Sequence, residues 1–244
     1  MTAFSYDRCC DEVTRQANLL DELLQNADLS RSVPTCPGWT LADLQGHVVG
    51  NLTTLEAAVR DVEVASDAPQ NVGDAGTAFA RTLRAAVADH PAEFGGFTLP
   101  TAFWVRRAMH DLAIHRADAA FALDTDYTID PQLAVDAIDE LLENVASPRP
   151  DHGPAIDRLH GSAANLHLHA TDTDPDLAAE WFIESGSHGL TWRHDHEKAA
   201  VALHGPLTDV LTVIYRRRSV DHSQADVLGS RELLDLWLDR LDLG

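Results

Sequence analysis

The sequence predicts an α+β protein in which a helical bundle precedes a smaller domain of helices and strands. Up to about residue 146 the apolar residues recur at the three- and four-residue spacing of amphipathic helices. Residues 147–154 then contain three prolines and one glycine, and beyond them a two-residue alternation typical of strands begins. A chain of 244 residues has room for two modest domains. We expect them at 1–147 and 156–244, with a linker at about 148–155.

Five helices are predicted in the first domain. They cover residues 4–26, 41–64, 77–89, 101–123 and 131–145. Thr40 is expected to cap the second helix, with Asp43 completing a capping box. Asp130 is expected to cap the fifth helix, and Pro131 to occupy its first turn. The polar, small-residue stretch 66–76 is expected to be a connection, and 91–100 a loop with short extended pieces.

The second domain is predicted to contain four strands and two helices. The strands are expected at 164–170, 179–184, 189–193 and 199–203, and the helices at 205–217 and 231–241. In the first of these strands His167 and His169 alternate with leucines, so they form the polar face of a half-buried strand. A second metal site at these histidines is the less favoured interpretation. The segment 194–196 is expected to be a solvated turn.

Composition excludes several classes of function. The chain carries 18 basic and 39 acidic residues, a formal net charge of −21, which disfavours binding to nucleic acids and to anionic membranes. No apolar run approaches the roughly 20 residues of a bilayer span. The first thirteen residues include four charged side chains, so no signal peptide is expected there, and three cysteines make no disulfide framework. We therefore expect a cytoplasmic protein with a small-molecule substrate; its oligomeric state stays open.

One constellation of residue types points to metal chemistry. Asp111 and His115 are four residues apart on the fourth helix, so they share the face that carries small apolar residues. His47 lies among apolar residues on the second helix. Two histidines and one carboxylate are the ligand pattern of an open divalent metal site. An ordinary hydrogen-bonded Asp–His pair and a satisfied core histidine remain the simpler alternatives.

Three segments resemble a known family. The run Val33–Val48, with its Pro-Thr-Cys-Pro-Gly-Trp centre, resembles the first signature of the mycothiol-dependent maleylpyruvate isomerase family, within the DinB/YfiT-like metal-binding superfamily. The run Asp111–Asp118 resembles its second signature, and Leu166–Asp172 with the helices that follow resembles its C-terminal domain. The resemblance covers nearly the whole chain.

The resemblance implies a DinB-like four-helix bundle followed by an α+β domain related to sterol-carrier proteins. It implies that His47, Asp111 and His115 bind the metal, although the isomerase has Glu at the position of Asp111. It also implies a functional arginine in the C-terminal domain, which we place at Arg217. This arginine is expected to take part in catalysis and to bind the thiol or the substrate.

The activity implied is that of a divalent-metal-dependent enzyme that activates mycothiol or a similar low-molecular-weight thiol for addition to a small electrophile. An isomerase and a thiol S-transferase both fit this chemistry. Zn²⁺ is the expected metal, with Ni²⁺ and Fe²⁺ as alternatives. The shortened carboxylate at Asp111 favours a competing interpretation: a hydrolytic or non-catalytic metal-binding member of the same fold that binds a small ligand between its domains.

Overall fold

The computed structural model confirms the α+β class. It describes residues 4–67, 69–146, 165–186 and 189–241. Contacts within the chain divide it into two compact units, Met1–Tyr127 and Thr128–Gly244. None of the described helices is long and apolar enough to cross a membrane.

The first unit is a bundle of four helices with one β-hairpin. Its elements are α1 (Tyr6–Leu24), α2 (Leu41–Arg60), α3 (Val72–Ala85), β1 (Pro91–Phe94), β2 (Phe97–Pro100) and α4 (Thr101–Ala122). Helices α1 and α2 each pack against α3 and α4. The hairpin supplies the short extended pieces that were predicted before α4.

The caps explain where these helices begin. Thr40 and Asp43 form the predicted capping box of α2. The third helix begins at Val72, five residues before its predicted start, because the Asn71 side chain accepts a hydrogen bond from the Asp74 amide. The glycines that suggested a connection here lie inside α3. Gly76 lets α1 approach closely, since a Cβ at this position would lie 2.2 Å from the Ala17 Cβ.

In its described residues, the second unit is a five-stranded sheet with three α-helices. Its elements are α5 (Pro131–Ala146), β3 (Asn165–Ala170), β4 (Glu180–Gly186), β5 (Gly189–Arg193), β6 (Val201–Gly205), α6 (Leu207–Ile214), β7 (Asp226–Gly229) and α7 (Arg231–Leu241). The strand order is β5-β4-β3-β6-β7, with β3 and β6 parallel and the other neighbours antiparallel. The four predicted strands are confirmed, and β7 was not predicted.

The contacts group α5 with the second unit. This helix packs against α6, β5 and α7, and its Asp139 carboxylate accepts a hydrogen bond of 2.7 Å from the Trp181 indole of β4. The expected first domain, 1–147, included α5. The expected linker at 148–155 lies outside the described residues. Contacts between distant parts of the chain, which periodicity does not encode, place α5 with the sheet.

One of two local predictions in the second unit differs from the structure. Helix α6 ends at Ile214 and not near Arg217, because the chain turns there and Arg216 adopts a positive φ of 57°. The predicted solvated turn at 194–196 is confirmed, since all three residues are exposed and lie outside the helices and strands. The His194 ring still contacts Asp139, with its Nε2 3.3 Å from a carboxylate oxygen.

The two faces of the sheet carry different side chains. Leu166 and Leu168 of β3, with Trp181 of β4, are fully buried on the face that receives the helices. The alternate positions of β3, which include His167 and His169, lie on the opposite face.

Candidate metal centre

Two helices of the first unit bring the three predicted ligands together. One ligand atom from each of His47, Asp111 and His115 lies within 4.8 Å of the others. His47 comes from α2, and the other two come from successive turns of α4. We call this group the bundle cluster. Its two imidazole rings meet edge to face, with centroids 5.1 Å apart.

A buried carboxylate orients His115. The Nδ1 of His115 lies 2.9 Å from Oδ2 of Asp118, which is fully buried and sits three residues along α4. The negative carboxylate favours the proton on Nδ1. The Nε2 atom then presents its lone pair toward Asp111, whose Oδ2 is 3.8 Å away. A carboxylate behind a histidine ligand is the usual outer-shell arrangement of metal sites.

The first signature segment is attached to the same carboxylate. The Thr35 hydroxyl donates to Oδ1 of Asp118 at 2.6 Å, and the Cys36 sulfur lies 3.7 Å from its Oδ2. The Val33 amide donates to the Trp39 carbonyl and closes the segment into a tight loop. Sequence reasoning missed the roles of Thr35 and Asp118. The i, i+3 spacing of Asp118 from His115 was the available signal.

His47 is held in a form suited to metal binding. Burial lowers its pKa, the nearby His115 lowers it further, and Asp111 opposes both. The imidazole is therefore neutral near pH 7 and retains a lone pair. Its ring packs against Trp39 at 4.9 Å between centroids, and its Nε2 lies 3.1 Å from the Asn51 amide nitrogen.

Asp111 is more accessible than His115. Its side chain is 26% exposed, and its Oδ1 lies 3.5 Å from the Arg107 guanidinium one turn earlier on α4. Although its side chain is one methylene shorter than Glu, it still reaches the two histidines. The donor set of two imidazoles and one carboxylate therefore fits a divalent metal.

Arg217 lies in the second unit, in the turn after α6. Its guanidinium donates to the Tyr215 carbonyl at 3.0 Å. The neighbouring Arg216 and Arg218 form ion pairs with Asp239 and Asp209. The role of Arg217 in catalysis and thiol binding stays a prediction.

We expect Asp118→Asn to weaken Zn²⁺ binding at the bundle cluster by about 10- to 100-fold, the usual effect of losing an outer-shell carboxylate. The amide keeps the shape of the side chain but no longer favours the proton on Nδ1 of His115. Competition with a chelator measures the affinity. Asp124→Asn is the matched control, because this exposed carboxylate lies just beyond the end of the same helix. Equal affinities in the two variants would contradict the orienting role.

Fold and site define a two-domain α+β protein with a histidine–carboxylate cluster inside its helical bundle. Two family models match it: the mycothiol maleylpyruvate isomerase N-terminal domain over residues 9–73 and the MDMPI C-terminal domain over residues 132–236. Together they cover more than two thirds of the chain. The chain belongs to the mycothiol-dependent maleylpyruvate isomerase family. The second match begins inside α5, in agreement with the division by contacts.

Two solved structures share the fold. The crystal structure of the mycothiol-dependent maleylpyruvate isomerase has a TM-score of 0.57 and 14% sequence identity, covering 92% of this chain and 93% of that one. A histidine-to-alanine mutant of the isomerase has a TM-score of 0.57 and 13% identity, covering 91% and 93%. No curated protein sequence matches the chain.

Proposed function

We propose that this protein is a divalent-metal-dependent enzyme that activates a low-molecular-weight thiol of the mycothiol type for addition to a small electrophilic substrate. Isomerisation is the reaction we favour. The observation that carries the proposal is the convergence of the bundle cluster, with one histidine oriented by a buried carboxylate. Membership of the mycothiol-dependent maleylpyruvate isomerase family suggests the thiol and the reaction class.

The residues of the bundle cluster would hold the metal. Two imidazoles and one carboxylate suit Zn²⁺, with Ni²⁺ and Fe²⁺ as alternatives, and three protein ligands leave a position open. A divalent metal bound there lowers the pKa of a coordinated thiol and so favours the nucleophilic thiolate.

The surrounding residues have separate tasks in this proposal. Asp118 keeps His115 in the tautomer that binds through Nε2. Trp39 covers one side of the His47 ring and limits its motion. Arg217 is proposed to bind a carboxylate of the thiol or of the substrate, for which a guanidinium is suited.

A second candidate function follows from the identity of residue 111. Aspartate in place of glutamate gives the cluster a shorter carboxylate, which favours a hydrolytic or non-catalytic member of the same fold that binds a small ligand. This candidate retains the metal but does not require a thiol, so thiol dependence separates the two.

The test uses the full-length, metal-loaded protein with maleylpyruvate as substrate, and product formation is followed by NMR with and without mycothiol. We expect turnover only with the thiol present and loss of turnover after chelation. An isomerase regenerates the thiol, so a catalytic amount supports many turnovers, whereas an S-transferase consumes one thiol per product. Metal binding without thiol-dependent turnover of this or related cis-enoic acids would overturn the proposal in favour of the second candidate.

A further inference from the structure

A second group of potential metal ligands lies in the sheet unit. His167, His169, Glu180 and His196 each offer a ligand atom, and these atoms all lie within 4.8 Å of one another. We call this group the sheet cluster. It shares no residue with the bundle cluster, and it belongs entirely to the second unit.

Strand register brings three of the four residues of the sheet cluster together. His167 and His169 are two residues apart on β3, so their side chains leave the same face of the sheet. Glu180 of β4 pairs directly with His169 in the antiparallel register. On the other side of β3, His204 of β6 pairs with His169, and its ring stacks on the His169 ring at 4.8 Å and 16°. The His169 ring is thereby held between two strands.

The fourth member comes from the segment after β5. His196 places its Nδ1 2.5 Å from Oε2 of Glu180. Its ring meets the rings of His167 and His169 with centroids 5.2 Å and 5.5 Å away. The side chain is otherwise 74% exposed.

Three imidazole nitrogens surround one carboxylate oxygen. Besides His196, Nε2 of His167 and Nδ1 of His169 each lie 3.0 Å from Oε2 of Glu180. A carboxylate oxygen has two lone pairs in its plane, which is too few for three well-aligned donors. The Nδ1 of His169 is in fact buried without a hydrogen bond of acceptable geometry. Hydrogen bonding alone therefore leaves one of the imidazole nitrogens without a hydrogen-bond partner. A cation at the centre of the cluster would instead be bound by all four ligand atoms.

We infer that the sheet cluster is a second metal site, of the closed four-ligand type, which takes Zn²⁺ or a similar first-row divalent ion. Three imidazoles and one carboxylate match the ligand preference of zinc. Ligand atoms around tetrahedral zinc lie about 3.3 Å apart. The three nitrogens lie 2.5–3.0 Å from Oε2 of Glu180 and all four ligand atoms lie within 4.8 Å of one another, so shifts of about 1 Å or less in the side chains would accommodate the ion. With four protein ligands, the site is structural and ties the segment that carries His196 to the sheet. This inference does not rest on the proposed function.

The test is a zinc titration of the full chain in an Asp111→Ala background, which disables the bundle cluster. We expect this parent to bind one Zn²⁺ and its melting temperature to rise with added Zn²⁺. His196→Ala and Glu180→Gln, made separately in the same background, should each weaken this binding by more than about 100-fold, beyond the usual effect of outer-shell changes. Both variants should also lose the thermal shift.

His222→Ala is the matched control, because this exposed histidine lies in the same unit outside the sheet cluster. It should bind Zn²⁺ as the parent does. His196 is exposed, so its loss leaves the fold intact and the comparison stays informative even if Glu180→Gln is unstable. A parent that binds no Zn²⁺, or a His196→Ala variant that binds it with parental affinity, would overturn the inference. The titration measures Zn²⁺ binding at the sheet cluster only. Its result is therefore independent of whether the protein carries out the proposed thiol chemistry.

Discussion

Asp111→Ala is expected to remove the metal from the bundle cluster and to lower the thiol-dependent kcat/KM by roughly 10³-fold or more, because metal catalysis is worth several kcal/mol of transition-state stabilisation. Asp111 supplies the only carboxylate of the cluster. Without it, only the two imidazoles remain as ligands, and no negatively charged ligand offsets the charge of the ion. Elemental analysis after dialysis measures the metal, and steady-state kinetics at saturating thiol measure the rate.

Two further substitutions at this position separate charge from shape. Asp111→Asn keeps the size but removes the charge, so it should behave like the alanine variant. Asp111→Glu keeps the charge and introduces the carboxylate that the isomerase is expected to have at this position. We expect it to retain one metal at the bundle cluster and measurable turnover. Full metal occupancy and unchanged kcat/KM in both the Ala and Asn variants would eliminate the carboxylate as a ligand.

Gly76→Ala is expected to lower the stability of the helical bundle by about 1–3 kcal/mol, the usual cost of overpacking a close contact. The added Cβ would lie 2.2 Å from the Ala17 Cβ and 3.6 Å from the Val13 carbonyl oxygen. Helices α1 and α3 must separate to accommodate it. Part of the loss is offset because alanine is the better helix former by up to about 1 kcal/mol. Calorimetry of the purified protein measures the change as a lower melting temperature.

Gly50→Ala is the control for helix propensity. Gly50 lies inside α2 and is exposed, and a Cβ there would meet nothing within 4 Å. This variant should be more stable than the parent by about 0.5–1 kcal/mol. If Gly76→Ala also stabilised the protein, the two helices would not require a glycine at their closest approach.

The family could be predicted from the sequence because its first signature is local. The segment Val33–Val48 contains a loop fixed by two prolines and a glycine, a helix cap and one histidine, and all of these act within a few residues of one another. The capping box at Thr40 is confirmed for the same reason. The i, i+4 pair of Asp111 and His115 likewise follows from helix geometry alone.

Features that depend on packing were not predicted. The early start of α3 was missed because Gly76 suggests a connection until the adjacent Ala17 is known. The grouping of α5 with the sheet follows from contacts such as that between Asp139 and Trp181, which lies 42 residues further along the chain. Neither contact produces a periodic pattern in the sequence from which it could be predicted.

By itself, the sequence determined the α+β class, most helix and strand positions, the family resemblance and the three residues of the bundle cluster. Their periodicities, caps and signatures are set by interactions between near neighbours in the chain. Only the tertiary structure decided that Asp118 orients His115 together with Thr35, and that Glu180 and His196 join the strand histidines in the sheet cluster. The physical reason is that helix packing and strand register bring these side chains together from distant parts of the chain, which one-dimensional spacing does not encode.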